Sequence, residues 1–147
     1  MKKLILYFLI GIMLTIFWIG FSTCLGWFIP QAHAAEIPQD LAVKAIMGEA
    51  SNQGYRGMLA VACAIRNRGT LAGVYGVKAK HIYKEPKWVW DMAAKAWQES
   101  AHTDITGNAT HWENNKAFGV PYWAKNMKTT TIIGDHTFYK EVNYAKR

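Results

Sequence analysis

The chain has 147 residues, a formal net charge of +7 and two cysteines, Cys24 and Cys63. That length suits one domain; the lone cysteine outside the N-terminal segment leaves core burial, and no intrachain disulfide, to hold the fold. The basic balance suits an anionic partner, and no nucleic-acid-binding motif is present.

The first 34 residues read as an export segment. Lys2 and Lys3 precede the apolar run "LILYFLIGIMLTIFWIGFSTCLGWFI", and Pro30 and Ala32-His33-Ala34 follow as a break and an A-x-A cleavage site. The run, residues 4–29, is longer than the ~7–15 residues of an ordinary signal core and reaches the ~20 that a spanning helix needs. It fits either a cleaved signal peptide or a signal anchor holding the chain to the cytoplasmic membrane. In both cases residues 35–147 form the working domain on the outside: periplasm, wall or medium. Losing Lys2 and Lys3 would take the charge from +7 to +5. Cys63, inside "MLAVACAI", reads as a small buried hydrophobe.

The chain outside that segment has no internal repeat and is dominated by helical patterns. A first helix opens near Pro38, with Asp40 in its first turn, and carries Leu41, Ala45, Ile46 and Glu49 at helical spacing. The stretch "SNQGYRG" breaks the pattern, and "MLAVACAIRNR" follows as a core helix that ends at Gly69. Thr70 to Pro86 reads as an irregular surface excursion. A third helix, "WVWDMAAKAWQESA", puts Trp90, Ala93, Ala94 and Trp97 on one face. Beyond Ala101 the pattern fades into loops and short extended pieces, with a small hairpin between Thr130 and Tyr139.

Glu49 stands on or beside the apolar stripe of the first helix. An ionised carboxylate there is costly unless paired, which favours the neutral form that a general acid requires. The same spacing fits a solvated glutamate at the stripe's edge.

The stretch "AIMGEASNQGYRGMLAVACAIRNR" resembles the opening motif of the SleB/CwlJ-type cell-wall hydrolases, in which a Gly-Glu-Ala helix, a glycine-containing turn and a second helix ending in Asn-Arg succeed one another. Here these are Gly48-Glu49-Ala50, Gly57 and Asn67-Arg68. "DITGNATHW", Asp104 to Trp112, is similar to the family's Asp-Pro-Thr-Gly-Gly-Ala-x-His-aromatic block, with Ile105 and Asn108 in place of proline and glycine. "PYWAKNMKTTTIIGDHTFYK" is similar to its Pro-x-Trp and terminal Ile-Gly-x-His-x-Phe-Tyr segments. The three blocks stand in order over most of Leu41 to Lys140, and the match is loose between Thr70 and Trp90.

The resemblance implies a mainly helical α+β domain, lysozyme-like or lytic-transglycosylase-like, with a groove for glycan strands and a minor β-hairpin. It implies that Glu49 is the acid, and then the base, that cleaves the β-1,4 bond between N-acetylmuramic acid and N-acetylglucosamine in peptidoglycan, as a lytic transglycosylase that uses the sugar's own 6-hydroxyl or, alternatively, as a lysozyme that uses water; no cofactor and no metal are expected. Asp104 is by motif the best second carboxylate; alternatively it braces its own loop near Thr106. Trp112, Trp123 and Tyr139 lie in the matching blocks and are expected to line the groove, while Trp97 is expected in the core. His111 and His136 would bond substrate or hold loops. Two rivals stay open: a zinc-dependent amidase or peptidase, although the histidines show neither HxxxH nor HExxH, and a non-catalytic wall-binding module.

Overall fold

The computed structural model describes residues 36–142. The expected export segment, residues 1–34, lies outside the described residues. Among the described residues no helix is long and apolar enough to cross a membrane.

Helix α1, Gln39–Ala50, starts after Pro38 and carries Asp40 in its first turn. It buries Ala42, Val43, Ala45, Ile46, Met47 and Ala50, the i, i+3, i+4 set that faces a core. Helix α2, Gly54–Arg68, buries every residue from Gly57 to Ile65, and so forms the centre of the domain. It ends where expected, with Gly69 left-handed (φ 71°) and donating its N–H to the Ile65 and Arg66 carbonyls. Its start differs from expectation, because the break is confined to residues 51–53 and Gly57 lies inside the helix. A Cβ at Gly57 would meet the Gln53 Cβ at 2.3 Å, so this glycine serves close packing of the first turn and does not interrupt it. Cys63 is buried, its thiol donating to the Thr103 carbonyl at 3.4 Å. Helix α3, Lys87–Glu99, lays Val89, Ala93, Ala96 and Trp97 against α1 and α2, with Trp90 and Ala94 at the edge of that face.

The connection from Thr70 to Pro86 is largely exposed, as expected, but it is anchored at three points. It forms 3-10 turns at Tyr75–Lys78 and His81–Lys84, and Val74, Gly76 and Ile82 are buried against the helices. Short 3-10 turns carry no apolar period, so the sequence gives this packing no signal.

The C-terminal part builds a three-stranded antiparallel sheet in the order β1-β3-β2: β1 His111–Glu113, β2 Met127–Ile133 and β3 His136–Glu141. The expected hairpin is present and longer, running from Met127 to Glu141, and "HWE" is one of the short extended pieces expected, paired as a third strand. Phe138, on the central strand, is fully buried and ties the sheet to the helices. The hairpin turns at Gly134 (φ 59°) and Asp135. Gln53 clamps that turn to the start of α2: its Oε1 accepts the Asp135 N–H at 3.0 Å and its Nε2 donates to Asp135 Oδ2 at 3.1 Å. Mainly helical with a small sheet, the architecture is the class that the sequence implied.

Candidate functional site

Glu49 occupies the last turn of α1, and two glycines decide its surroundings. A Cβ on Gly48 would fall 2.0 Å from the Gly76 carbonyl oxygen; one on Gly76 would fall 2.7 Å from both the Ala45 oxygen and the Glu49 Cγ. With neither Cβ present, the Tyr75–Lys78 turn lies directly on the helix. The Gly76 N–H then donates to Glu49 Oε1 at 2.6 Å. From the other side, the Trp112 indole N–H on β1 donates to Oε2 at 3.3 Å. Glu49 is therefore neither a solvated edge residue nor an unpaired one. It is half-buried and aimed by N–H groups from two other parts of the chain.

Two cavities adjoin at this carboxylate. One, of about 360 Å³, is lined by Glu49, Arg68, Tyr75, His111, Trp112 and Trp123 among others; the other, of about 410 Å³, by Glu49, Asn52, Gln53, His81, Glu85 and Phe118 among others. Glu49, Glu113 and His136 line both. The arrangement is a groove with Glu49 at its middle, of a volume that suits an organic ligand. Tyr75, Phe118 and Trp123 expose large aromatic faces along it.

His136 is 7% exposed, and its Nδ1 is buried with no hydrogen-bond partner among the described residues. Burial lowers its pKa below the usual 6.5, outweighing the pull of Glu49, Asp135 and Glu113. His111 is lowered too, by burial first and then by the charge of Arg68, against an opposing effect of Glu141. Its Nδ1 lies 2.9 Å from the Thr110 hydroxyl, and its ring lies 5.4 Å from that of Trp123. Trp123 in turn meets Tyr139 edge-on at 5.4 Å. Tyr139 itself is buried, its hydroxyl accepting from Asn115 Nδ2, so it stands behind Trp123 and does not line the groove as expected.

Asp104 and Thr106 lie in their own loop and line neither cavity. Asp104 Oδ1 accepts the Thr106 N–H at 2.8 Å and its hydroxyl at 2.6 Å, and Oδ2 accepts the Asn108 N–H at 2.7 Å. Asn67 reaches the same loop from α2, with its amide 3.1 Å from the Ala109 carbonyl. Burial would raise the Asp104 pKa, but these hydrogen bonds from Thr106, Asn108 and Asn67 prevail and hold it below 3.8. Asn108 takes the left-handed conformation at φ 62°, which asparagine tolerates better than most residues. Asp104 therefore braces its own loop, the alternative left open above, and the second carboxylate that lines the groove is Glu113.

The sequence reading missed Glu113, Arg68, Gly76, Tyr75 and Phe118 as groove residues. Strand alternation pairs Glu113 with His111 on one face, but three residues are too few to mark "HWE" as a strand from sequence; nothing local marks Gly76. Among the described residues no group of three His, Cys, Asp or Glu side chains could hold a metal ion.

No family model and no curated relative matches the chain. Two solved structures do. The catalytic domain of the Bacillus cereus SleB protein is 27% identical with a TM-score of 0.52, over 69% of this chain and 88% of that one. The catalytic domain of the germination-specific lytic transglycosylase SleB from Bacillus anthracis is 27% identical with a TM-score of 0.56, over 76% of this chain and all of that one.

Proposed function

We propose, on the premise that the chain folds as a SleB-type catalytic domain, that it cleaves the glycan strands of peptidoglycan as a lytic transglycosylase, at the bond from N-acetylmuramic acid to N-acetylglucosamine. Glu49 is the general acid and then the general base. The observation that carries this reading is the place of Glu49: the middle of a groove open on both sides, with each carboxylate oxygen held by an N–H donor. A sugar strand lying along the groove presents its inter-sugar oxygen to that carboxyl.

The chemistry then balances with one group. Glu49 gives its proton to the glycosidic oxygen, the C1–O bond breaks, and positive charge develops at C1 of the muramoyl sugar. The 6-hydroxyl of the same sugar attacks C1, and its proton returns to Glu49. No water is consumed, and the product ends in a 1,6-anhydro ring. The two N–H donors keep the carboxylate pointed at the bond while its charge appears. Neutral His136 and His111 add hydrogen-bonding surface without a competing positive charge.

Hydrolysis is the second reading, and Glu113 is the observation that favours it, because a second carboxylate in the groove could activate water. The reading places residues 35–147 outside the cytoplasmic membrane, delivered by the segment before them. The test is turbidity loss of purified sacculi. The chain should clear them, and Glu49→Gln, with unchanged circular dichroism, should be at least about a hundredfold slower. Clearing by that variant at the normal rate would end the proposal. Loss of activity on chelation, or pull-down without release, would point to the amidase or the wall-binding module.

A further inference from the structure

The C-terminal turn of α2 holds two arginines, Arg66 and Arg68, and both suit the negative end of the helix dipole. Arg66 is fully engaged besides. Its Nε donates to Ser100 Oγ at 2.8 Å, its Nη2 to the Trp97 carbonyl at 2.9 Å, and its guanidinium lies 3.8 Å from the centre of the Trp97 ring. The Arg68 side chain makes no hydrogen bond or ion pair with any described residue, yet the residue is half-buried and lines the groove. Its place is defined by the loop over it: Gly73 has φ 75°, and a Cβ there would stand 3.2 Å from the Arg68 Nη2. A half-buried guanidinium with five unused donors is a receptor for a planar anion.

The rest of the groove gives this charge a direction. Among the described residues the Arg68 wing has one cation, with His111 beside it held toward neutrality; the opposite wing has no lysine or arginine and adds Glu85 to the carboxylates that both share. Along a peptidoglycan strand the glucosamine units are neutral, and carboxylates occur only on the substituent of the muramoyl unit.

We propose that Arg68 is a specificity residue that binds a carboxylate of the muramoyl substituent, so that one wing of the groove takes an anionic muramoyl unit and the Glu85 wing disfavours one. The inference rests on the glycan-cleaving reading, since it assigns the substrate of that same groove. The carboxylate can belong to the stem peptide or, on stripped strands, to the free lactyl group; the recognition chemistry is shared.

The test is equilibrium binding to the full chain in mild detergent, carrying Glu49→Gln so that no ligand turns over. The ligands are soluble strand fragments with stem peptides, the same fragments with their stem carboxyls amidated, fragments stripped to free lactyl groups, and a neutral N-acetylglucosamine oligomer. Arg68→Gln should weaken binding of at least one carboxylate-bearing ligand roughly tenfold or more, and leave the amidated fragments and the neutral oligomer unchanged. Arg68→Lys, which keeps the charge and loses the fork, should recover part of the loss. Loss confined to stem-bearing fragments assigns the stem carboxylate, and loss confined to stripped ones the lactyl group. An equal change on all ligands, or none on any, overturns the proposal. Unchanged neutral-oligomer binding shows that the variant is folded. If the chain with Glu49 intact releases no glycan while the selective Arg68 effect persists, the cleavage reading fails and this one stands.

Discussion

His136 sits 7% exposed beside the carboxylates of the groove, and its folded pKa lies below the unfolded 6.5. Above that pH the ring is neutral in both states and adds nothing to stability. As pH falls through 6.5 the unfolded chain takes the proton first, and stability drops until the folded pKa is passed. His111 acts in the same sense. Asp104, held below 3.8, contributes stability that is complete above 3.8 and disappears as pH falls from there through its folded value. Urea midpoints from about pH 8 to about pH 3 should therefore fall in two steps, and His136→Gln should flatten the upper one while Asp104→Asn flattens the lower. A lower step that survives in Asp104→Asn would contradict the loop-bracing role. At neutral pH that variant should lose about 1–3 kcal/mol, because its charge-assisted bonds hold the loop that buries Thr106, and should leave the chemistry of the product ends unchanged.

Helix α1 and the Tyr75–Lys78 turn meet backbone to backbone, and that contact carries the site. A Cβ at Gly76 would lie 2.7 Å from the Glu49 Cγ and from the Ala45 carbonyl, so Gly76→Ala must push the turn off the helix. The expected result is a loss of about 1–3 kcal/mol by denaturant unfolding, together with a fall in glycan release well beyond it, since the donor to Glu49 Oε1 moves. Unchanged release in a folded Gly76→Ala protein would remove the turn from the account. The contact also marks how far the sequence could be read. Helices α1 and α3 are legible because Leu41, Ala45 and Ile46, and Trp90, Ala93, Ala94 and Trp97, recur at helical spacing, α2 because its apolar run ends at Arg66, Arg68 and Gly69, and the hairpin because Gly134-Asp135 divides two extended runs. The motif picked out Glu49, but only packing shows that Gly48 serves Gly76 and that Trp112 reaches across to Oε2. Glu113 escapes because a three-residue strand has too little pattern to show which way its side chains point, and Asp104 stands out by its place in the motif, which does not show which carboxylate faces a groove.

Across the molecule the charges have an order that composition alone hides. The chain is basic overall, yet its groove carries Glu49, Glu113 and Glu85 with Arg68 at one end. On the proposed reading the overall positive charge gathers an anionic wall polymer, while the groove sorts its units. On this account the helices fix the acid, the sheet and the 3-10 turn aim it, and the substrate's own hydroxyl completes the reaction. The most direct test of that claim is the mass of the ends released from purified peptidoglycan by the chain. The account predicts muropeptides lighter by one water than hydrolysis products, carrying 1,6-anhydro ends, and their absence with Glu49→Gln. Hydrated reducing ends alone would contradict it and hand the nucleophile to a water beside Glu113, and intact glycan with cut peptide stems would remove Glu49 from the chemistry altogether.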